Sequence, residues 1–134
     1  MVSYKNPKPT VDVLVESNGK IILVKRGNGP FKGKLALPGG FVEFGETVEN
    51  AAKREMKEET NLQVRLKDLL GVYSDPDRDP RGHTISTVFV AEIESGEIKG
   101  GSDAEEAMWL DLDVIEEEDM AFDHFKIIQE YINS

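Results

Sequence analysis

Cysteine is absent from the sequence, which excludes disulfide bonds and metal sites built on thiolates. No apolar run approaches the roughly 20 residues that a membrane-spanning helix needs. The stretch 1–9 contains lysine but lacks the apolar core of a signal peptide. Secretion and membrane insertion are therefore not expected, and the chain is predicted to be cytoplasmic.

Basic residues are scarce as well. The sequence has 16 Lys and Arg against 26 Asp and Glu, which gives a formal net charge of -10. The excess lies in residues 101–125, which hold ten acidic residues and no Lys or Arg, whereas residues 1–100 hold 15 of each sign. Because duplex binding depends on Lys and Arg that neutralise phosphates, this composition argues against a nucleic-acid partner.

The composition that remains is typical of a folded globular protein. The 134 residues, 39% of them hydrophobic, predict a single domain over residues 1–134. Strand-like patterns cover residues 10–15, 21–24, 35–42, 62–73, 83–93 and 107–112, and helical patterns cover 47–60 and 122–132. A turn signal at 17–19 makes the first two strands a hairpin. The order of the elements predicts an α/β (α+β) fold, with helices packed on a mixed sheet.

The helix predicted at 47–60 carries acidic residues on its apolar face. Thr47 is the expected N-cap, and Asn61 is the expected C-terminal stop. At about 100° per residue, the inward face is defined by Val48, Ala51, Ala52 and Met56. The outward face is polar and comprises Glu49, Asn50, Lys53, Lys57 and Thr60. Glu55 and Glu59 fall in the middle of the inward face.

Two inward carboxylates one turn apart need compensation, because a buried unpaired carboxylate is costly. One interpretation is that this end of the helix opens to solvent and that both glutamates pair with Arg or Lys. The other is a hard divalent cation, since oxygen ligands at positions i, i+3 and i+4 (Glu55, Glu58 and Glu59) converge on one face. Mg²⁺ typically combines few carboxylates with substrate phosphates, so this interpretation indicates a phosphate ester or anhydride as substrate.

Residues 40–62, GFVEFGETVENAAKREMKEETNL, resemble the Nudix box of the Nudix hydrolases. The family pattern is Gly, five residues, Glu, seven residues, Arg-Glu-apolar, one residue, Glu-Glu, one residue, Gly-apolar. Eight of its nine specified positions are matched, and the exception is Asn61, where the family has Gly. Asn is the next best residue for a left-handed helix end, so the departure is mild. The resemblance implies a Nudix-type α/β/α sandwich.

The resemblance also implies a metal site. Glu55, Glu58 and Glu59 correspond to the metal-binding glutamates of the family, and the backbone carbonyl of Gly39 is a further candidate ligand. The expected cofactor is Mg²⁺, with Mn²⁺ as the alternative. Six glutamates against three basic residues between 43 and 59 would repel an anionic diphosphate, so strict metal dependence is predicted.

The resemblance gives Arg54 and Glu46 a supporting role, as an ion pair that ties the loop to the helix. A carboxylate must also take a proton from the attacking water. Glu55 is one candidate for this base, and the other candidates lie in the later acidic segment: Asp103, Glu105 and Glu106. An acidic loop that is merely solvated is the competing interpretation for these three.

The segment 72–83, VYSDPDRDPRGH, resembles a loop of the ADP-ribose pyrophosphatases within this family, including a proline fifteen residues after Asn61. Candidate substrate contacts are Arg26, Arg81, His83 and Tyr73, because Arg is suited to phosphate oxygens and an aromatic ring can stack on adenine. The alternatives are an exposed strand end for Arg26, an ordinary polar turn for Arg81, and the core for Tyr73. For Arg78 the polar turn is preferred, and His124 is expected to be structural or on the surface.

The leading hypothesis is a Mg²⁺-dependent enzyme that cleaves ADP-ribose to AMP and ribose 5-phosphate. A nucleoside triphosphate pyrophosphohydrolase that clears damaged nucleotides is the alternative within the family. A non-catalytic Nudix-like ligand sensor is the alternative outside enzymes, and the intact set of glutamates argues against it. The expected partner is a small nucleotide, and a homodimer stays open because many relatives form one.

Overall fold

The computed structural model describes residues 5–99 and 106–134. Seven strands and two α-helices are found in these ranges. The elements are β1 Lys8–Ser17, β2 Lys20–Lys25, β3 Leu35–Ala36, β4 Gly39–Phe41, α1 Val48–Thr60, β5 Gln63–Tyr73, β6 Thr84–Ser95, β7 Glu106–Asp111 and α2 His124–Ile132. Two short 3₁₀ turns, Leu112–Val114 and Glu117–Asp119, connect β7 to α2.

The sheet is mixed, as the sequence predicts. Its strand order is β3-β2-β1-β6-β5, with β4 also paired to β1 and β7 also paired to β2. Strands β1 and β6 are parallel, with Thr10 opposite Ser86, and all other pairs are antiparallel. Strand β4 pairs with residues 10–12 of β1, and β2 pairs with Glu16 and Ser17 near the end of β1. Strand β1 therefore links the two parts of the sheet.

The two helices cover opposite faces of β1. On one face, three valines of β1 join a buried cluster with the inward residues of α1, namely Ala51, Ala52 and Met56. On the other face, Leu14 packs in a second cluster with Ile127 and Ile128 of α2. This alternation follows from the two-residue period of a strand. It produces the α/β/α sandwich that the sequence predicts.

Helix α1 has the predicted ends. The Thr47 side chain accepts a hydrogen bond from the Asn50 N–H at 3.1 Å. Asn61 adopts a left-handed conformation with φ 67°, and its N–H donates to the Lys57 carbonyl at 3.0 Å. Asn tolerates this conformation better than most residues, so it replaces the family's glycine without changing the helix end.

Three details differ from the sequence-based prediction. The stretch 35–42 forms two short strands, β3 and β4, instead of one. Helix α2 begins at His124 instead of residue 122, because Phe122 has a left-handed φ of 53°. Thr60, predicted on the outward face, is fully buried. The chain after β6 returns to this end of α1, where the Lys99 N–H donates to the Thr60 carbonyl at 2.8 Å, and the Thr60 hydroxyl donates to the Met56 carbonyl at 2.6 Å.

Neither helix found in residues 5–99 and 106–134 is long and apolar enough to cross a membrane.

Candidate functional site

The glutamates of α1 meet the backbone of β4. The Gly39 N–H donates to Glu59 Oε1 at 2.7 Å. A Cβ atom added to Gly40 would lie 2.6 Å from Glu55 Oε1, closer than real Cβ atoms come. Only a glycine at position 40 therefore leaves room for the Glu55 carboxylate, and the glycine pair lets helix and strand come into contact.

Arg54 connects the carboxylates of the site to one another. Its Nε–H and Nη2–H donate to the two oxygens of Glu46, at 2.7 and 3.0 Å. Its Nη1–H donates to Glu55 Oε1 at 2.8 Å and to Glu58 Oε2 at 3.2 Å. Nη2 also donates to the Phe41 carbonyl at 3.0 Å. One guanidinium thus links the loop before α1, the helix and β4.

The Arg54–Glu46 contact keeps Glu46 ionised. The hydrogen bond from Arg54, and after it the Glu43 N–H, which donates to this carboxylate at 3.0 Å, together lower the pKa of Glu46 to about 2. The pKa of Arg54 is raised in turn, chiefly by Glu46 and despite desolvation. A bidentate contact of this kind fixes geometry as well as charge. The structure therefore brings together the two residues for which a supporting role is predicted.

The acidic side chains of α1 fit a hard divalent cation in donor type and in place. They offer oxygen donors only, on one helical turn. Across residues 5–99 and 106–134, however, no three acidic or histidine side chains already form a group that could hold an ion. Arg54 engages Glu55 and Glu58, and Gly39 engages Glu59. The Glu58 side chain is 57% exposed, so it can turn toward the other two without disturbing the core.

A cleft lies beside β4 and includes the Glu59 end of this group. It holds about 460 Å³ of empty space, part of it open to solvent. Its walls come from β1, β4, α1, the segment 78–81 before β6, and residues 122–124 at the start of α2. Segments far apart in sequence thus converge on one cleft.

The end of the cleft away from α1 combines cations with aromatic rings. The Arg81 guanidinium carbon lies 5.1 Å from the centroid of Phe41 and 5.5 Å from that of Phe122. Arg26 lies 5.0 Å from the Phe122 centroid, and Phe31 packs edge-on against Phe122 at 4.9 Å. Such a set suits a ligand with a planar base and anionic groups. The predicted contacts Arg26 and Arg81 are both in the cleft.

Asp79 anchors Arg81. Arg81 Nη2 donates to Asp79 Oδ2 at 2.8 Å, and the Arg81 backbone N–H donates to Asp79 Oδ1 at 2.9 Å. Burial raises the pKa of Asp79, but the hydrogen bonds from Arg81 outweigh it and leave that pKa below its ordinary value. Asp79 is therefore a buried anion that holds the guanidinium at the aromatic end.

Arg78, for which an ordinary polar turn is the preferred interpretation, is buried and bonded within the protein. Its side chain is only 4% exposed. Nε and Nη2 donate to the two oxygens of Asp123 at 2.9 and 2.8 Å, and Nη1 donates to Thr84 Oγ1 at 2.8 Å. Asp12 Oδ2 lies 3.9 Å away. These acceptors compensate the buried charge of Arg78. The local sequence pattern of prolines and aspartates does not reveal them, because they come from other segments of the chain.

His124 is structural, in agreement with one of the two expectations for it, and it also lines the cleft. The Leu37 N–H donates to His124 Nδ1 at 3.0 Å, which places the imidazole proton on Nε2, 3.5 Å from Asp12 Oδ1. Burial lowers the pKa of His124 and raises the pKa of Asp12. Asp12 also accepts from the Ser86 hydroxyl.

Three other predicted residues lie outside this cleft. The exposed His83 ring bonds through Nε2 to the Ser74 carbonyl at 3.0 Å, and Tyr73 OH donates to Glu130 at 2.6 Å. Glu106 begins β7 opposite Lys25 and lines a different groove. The other two candidate bases, Asp103 and Glu105, lie outside the described residues.

Three members of the cleft are not among the residues predicted from the sequence: Asp12, Asp79 and Phe122. A signal existed for Asp12, because a single carboxylate interrupts the apolar strand pattern TVDVLV. A buried acid in such a strand needs partners, and these partners mark a polar site. No comparable local signal marks Phe122, whose place depends on how α2 docks.

Comparison with known proteins agrees with this geometry. Residues 6–131 match the NUDIX domain family. An ADP-ribose pyrophosphatase of Methanocaldococcus jannaschii is 57% identical over 129 residues, which are 96% of this chain and 75% of that protein.

Two solved structures are also similar. The first is a bifunctional NMN adenylyltransferase/ADP ribose pyrophosphatase of Francisella tularensis, complexed with AMP and a Mn ion. It has a TM-score of 0.86 and 34% identity, over 98% of this chain and 43% of that one. The second is the NUDIX domain of Shewanella oneidensis NrtR, complexed with ADP ribose. Its TM-score is 0.83 at 25% identity, over 97% of this chain and 89% of that one.

The sheet between two helices, the helix glutamates set against a glycine pair and these similarities together identify a pyrophosphohydrolase. The chain belongs to the Nudix hydrolase family.

Proposed function

We propose that the protein is a divalent-metal-dependent hydrolase that cleaves the diphosphate of ADP-ribose, with AMP and ribose 5-phosphate as products. The observation that carries this proposal is one cleft that runs from Glu59, at one end of the α1 carboxylates, to an end formed by arginines and aromatic rings. The similarity to an ADP-ribose pyrophosphatase at 57% identity supports the same substrate.

The two ends of the cleft have complementary tasks. Arg26 and Arg81 offer positive charge to phosphate oxygens and lie against aromatic rings, which present flat apolar faces to a base. The glutamates at the opposite end repel a bare diphosphate, so productive binding there needs a cation. This arrangement orients the substrate with its diphosphate toward α1.

We propose that Glu55, Glu58 and Glu59 hold the cation, that the Gly39 carbonyl assists, and that Mg²⁺ is the ion used, with Mn²⁺ able to replace it. When held there, the ion would supply charge neutralisation at the diphosphate and would make the attacking water more acidic. Arg54 holds Glu55 and Glu58 in place beforehand. Glu46 fixes Arg54 and thus acts as a positioning residue.

Glu55 is the base we propose for the attacking water. Its side chain is 12% exposed and lies against Gly40 at the carboxylate end of the site. Glu106 lines another groove, beside Lys25 and Glu118, so it serves as the comparison. Glu55→Gln should abolish most turnover at every pH tested, whereas Glu106→Gln should leave it near that of the wild type. The opposite pattern would assign the base to the later acidic segment.

We also propose that residues 1–134 act as one cytoplasmic domain on a small nucleotide and not on nucleic acid. The absence of cysteine and the acidic excess support this proposal. A homodimer is supported by exposed apolar side chains on β5, where Leu69 is 59% exposed and Val72 is 56% exposed. Light scattering of the purified protein measures the mass in solution and tests the dimer.

Incubation with Mg²⁺ and separate substrates, read by chromatography, tests the activity. ADP-ribose should yield AMP and ribose 5-phosphate in equal amounts. Turnover of an oxidised nucleoside triphosphate with intact ADP-ribose would instead identify a pyrophosphohydrolase of the nucleotide pool. Tight ADP-ribose binding without turnover would identify a sensor.

A further inference from the structure

Thr10 carries a buried hydroxyl without a partner. Among the buried side-chain nitrogen and oxygen atoms of residues 5–99 and 106–134, Thr10 Oγ1 alone makes no hydrogen bond. The residue is 8% exposed, and it lines the cleft. Because buried polar groups in folded proteins are nearly always hydrogen-bonded, this atom needs an explanation.

The neighbours of Thr10 are satisfied. In the parallel pairing of β1 and β6, Thr10 lies opposite Ser86, whose hydroxyl donates to Asp12. Thr84, two residues before Ser86, accepts from Arg78 at 2.8 Å. Asp12, on the same face of β1 as Thr10, also faces His124. Ser86, Thr84 and Asp12 thus each have a partner within the protein, whereas the Thr10 hydroxyl is left for something that enters the cleft.

The surroundings of Thr10 restrict what can enter. In the antiparallel pairing of β1 and β4, Thr10 lies opposite Phe41, the residue whose ring contacts Arg81. Thr10 therefore belongs to the aromatic end of the cleft, and Asp12, opposite Gly39, lies toward the carboxylate end. A threonine hydroxyl both donates and accepts, which suits a neutral sugar hydroxyl.

We propose that Thr10 Oγ1 hydrogen-bonds a ribose hydroxyl of the bound substrate and is a residue that determines specificity. This inference rests on the proposed function, since ADP-ribose carries one ribose on each side of its diphosphate. This hydrogen bond lies away from the α1 carboxylates, so it stabilises the ground state and the transition state equally. Its loss should therefore raise KM and leave kcat unchanged.

The variants Thr10→Val and Thr10→Ser separate the effect of the hydroxyl on substrate binding from the effect of side-chain packing. Valine keeps the shape and removes the hydroxyl, and serine keeps the hydroxyl. Thr10→Val should raise KM for ADP-ribose about three- to tenfold at unchanged kcat, the range that one neutral hydrogen bond supplies. Thr10→Ser should keep KM within about twofold of the wild type. A KM unchanged in Thr10→Val would overturn the inference and leave a bound water as the partner.

The melting temperature of the free protein gives an independent readout. Thr10→Val should melt at the same temperature as the wild type or higher, because it removes a hydroxyl without a partner. The matched control is Thr84→Val, which removes the acceptor of Arg78 and should melt at a lower temperature. A clear drop in the melting temperature of Thr10→Val would show that its hydroxyl is already bonded in the free protein and would overturn the inference.

The two products distinguish the two riboses. Inhibition of the wild type and of Thr10→Val is measured with AMP and with ribose 5-phosphate. Weaker inhibition by AMP alone assigns the contact to the adenosine ribose, and weaker inhibition by ribose 5-phosphate alone assigns it to the terminal ribose. A wild type that does not cleave ADP-ribose would refute the proposed function and this inference with it. Unchanged KM and unchanged inhibition in Thr10→Val, with an active wild type, overturn only the inference.

Discussion

The two oxygens of Glu46 receive the Nε–H and Nη2–H of Arg54, at 2.7 and 3.0 Å. The third nitrogen of the same guanidinium holds Glu55 and Glu58. The position of the carboxylates on α1 therefore depends on Glu46, a residue of the loop before the helix. This relationship makes Glu46 a test of how the site is organised.

Glu46→Gln should lower kcat for ADP-ribose by about tenfold or more, as for other residues that orient metal ligands. The amide loses the charge that holds Arg54, so Glu55 and Glu58 lose their common support. Glu49→Gln, on the exposed face of the same helix, is the control and should match the wild type. Equal kcat values for Glu46→Gln and the wild type would contradict the positioning role.

The same variant gives a pH dependence of stability. The pKa of Glu46 in the folded protein, about 2, lies below its ordinary 4.5, so the ionised group stabilises the fold above pH 4.5. That contribution is lost as the pH falls from 4.5 toward 2. The melting temperature of Glu46→Gln should therefore lie below that of the wild type at neutral pH, and the gap should close in acid. A difference in melting temperature that widens in acid would contradict this prediction.

Gly40→Ala should reduce activity strongly while the protein stays folded. The new Cβ would lie 2.6 Å from Glu55 Oε1 and must push the carboxylate away from β4. Gly71→Ala on β5 is the control, since its Cβ would meet only Tyr73 at 3.6 Å, an ordinary contact. Turnover and circular dichroism are measured on both variants. Wild-type turnover in Gly40→Ala would show that Glu55 need not lie against β4.

Arg78→Met should destabilise the fold by about 3 kcal/mol, because it leaves the Asp123 carboxylate and the nearby Asp12 without their buried cation. Arg65→Met removes an exposed ion pair with Glu92 and should cost less than about 1 kcal/mol. Urea unfolding measures both free energies. Similar values for the two variants would mean that Arg78 contributes no more than a surface residue.

The site helix could be predicted from the sequence because its signals are local. The cap at Thr47, the left-handed stop at Asn61 and the inward placement of Glu55 and Glu59 all follow from spacing within one short segment. The burial of Thr60 does not follow from this spacing, because residues distant in sequence, such as Lys99, reach this end of the helix. Periodicity describes the faces of a helix and not what later packs on its end.

The rest of the cleft could not be predicted because long-range pairing creates it. Asp12 meets Ser86 only because β1 and β6 pair in parallel, and Arg78 meets Asp123 only because α2 docks beside β1. An isolated pattern such as SDPDRDPRG is equally consistent with a solvated turn. Such partners become visible only when the sheet order is known.

The proposed hydrolysis of ADP-ribose depends most directly on the carboxylates of α1. Product formation from ADP-ribose is measured for the wild type, Glu59→Gln and Glu49→Gln, each with Mg²⁺ and with a chelator. The wild type and Glu49→Gln should form AMP and ribose 5-phosphate only with Mg²⁺, and Glu59→Gln should lose about a hundredfold or more with Mg²⁺ present. Full turnover by a folded Glu59→Gln, or by the wild type with chelator, would contradict the central claim.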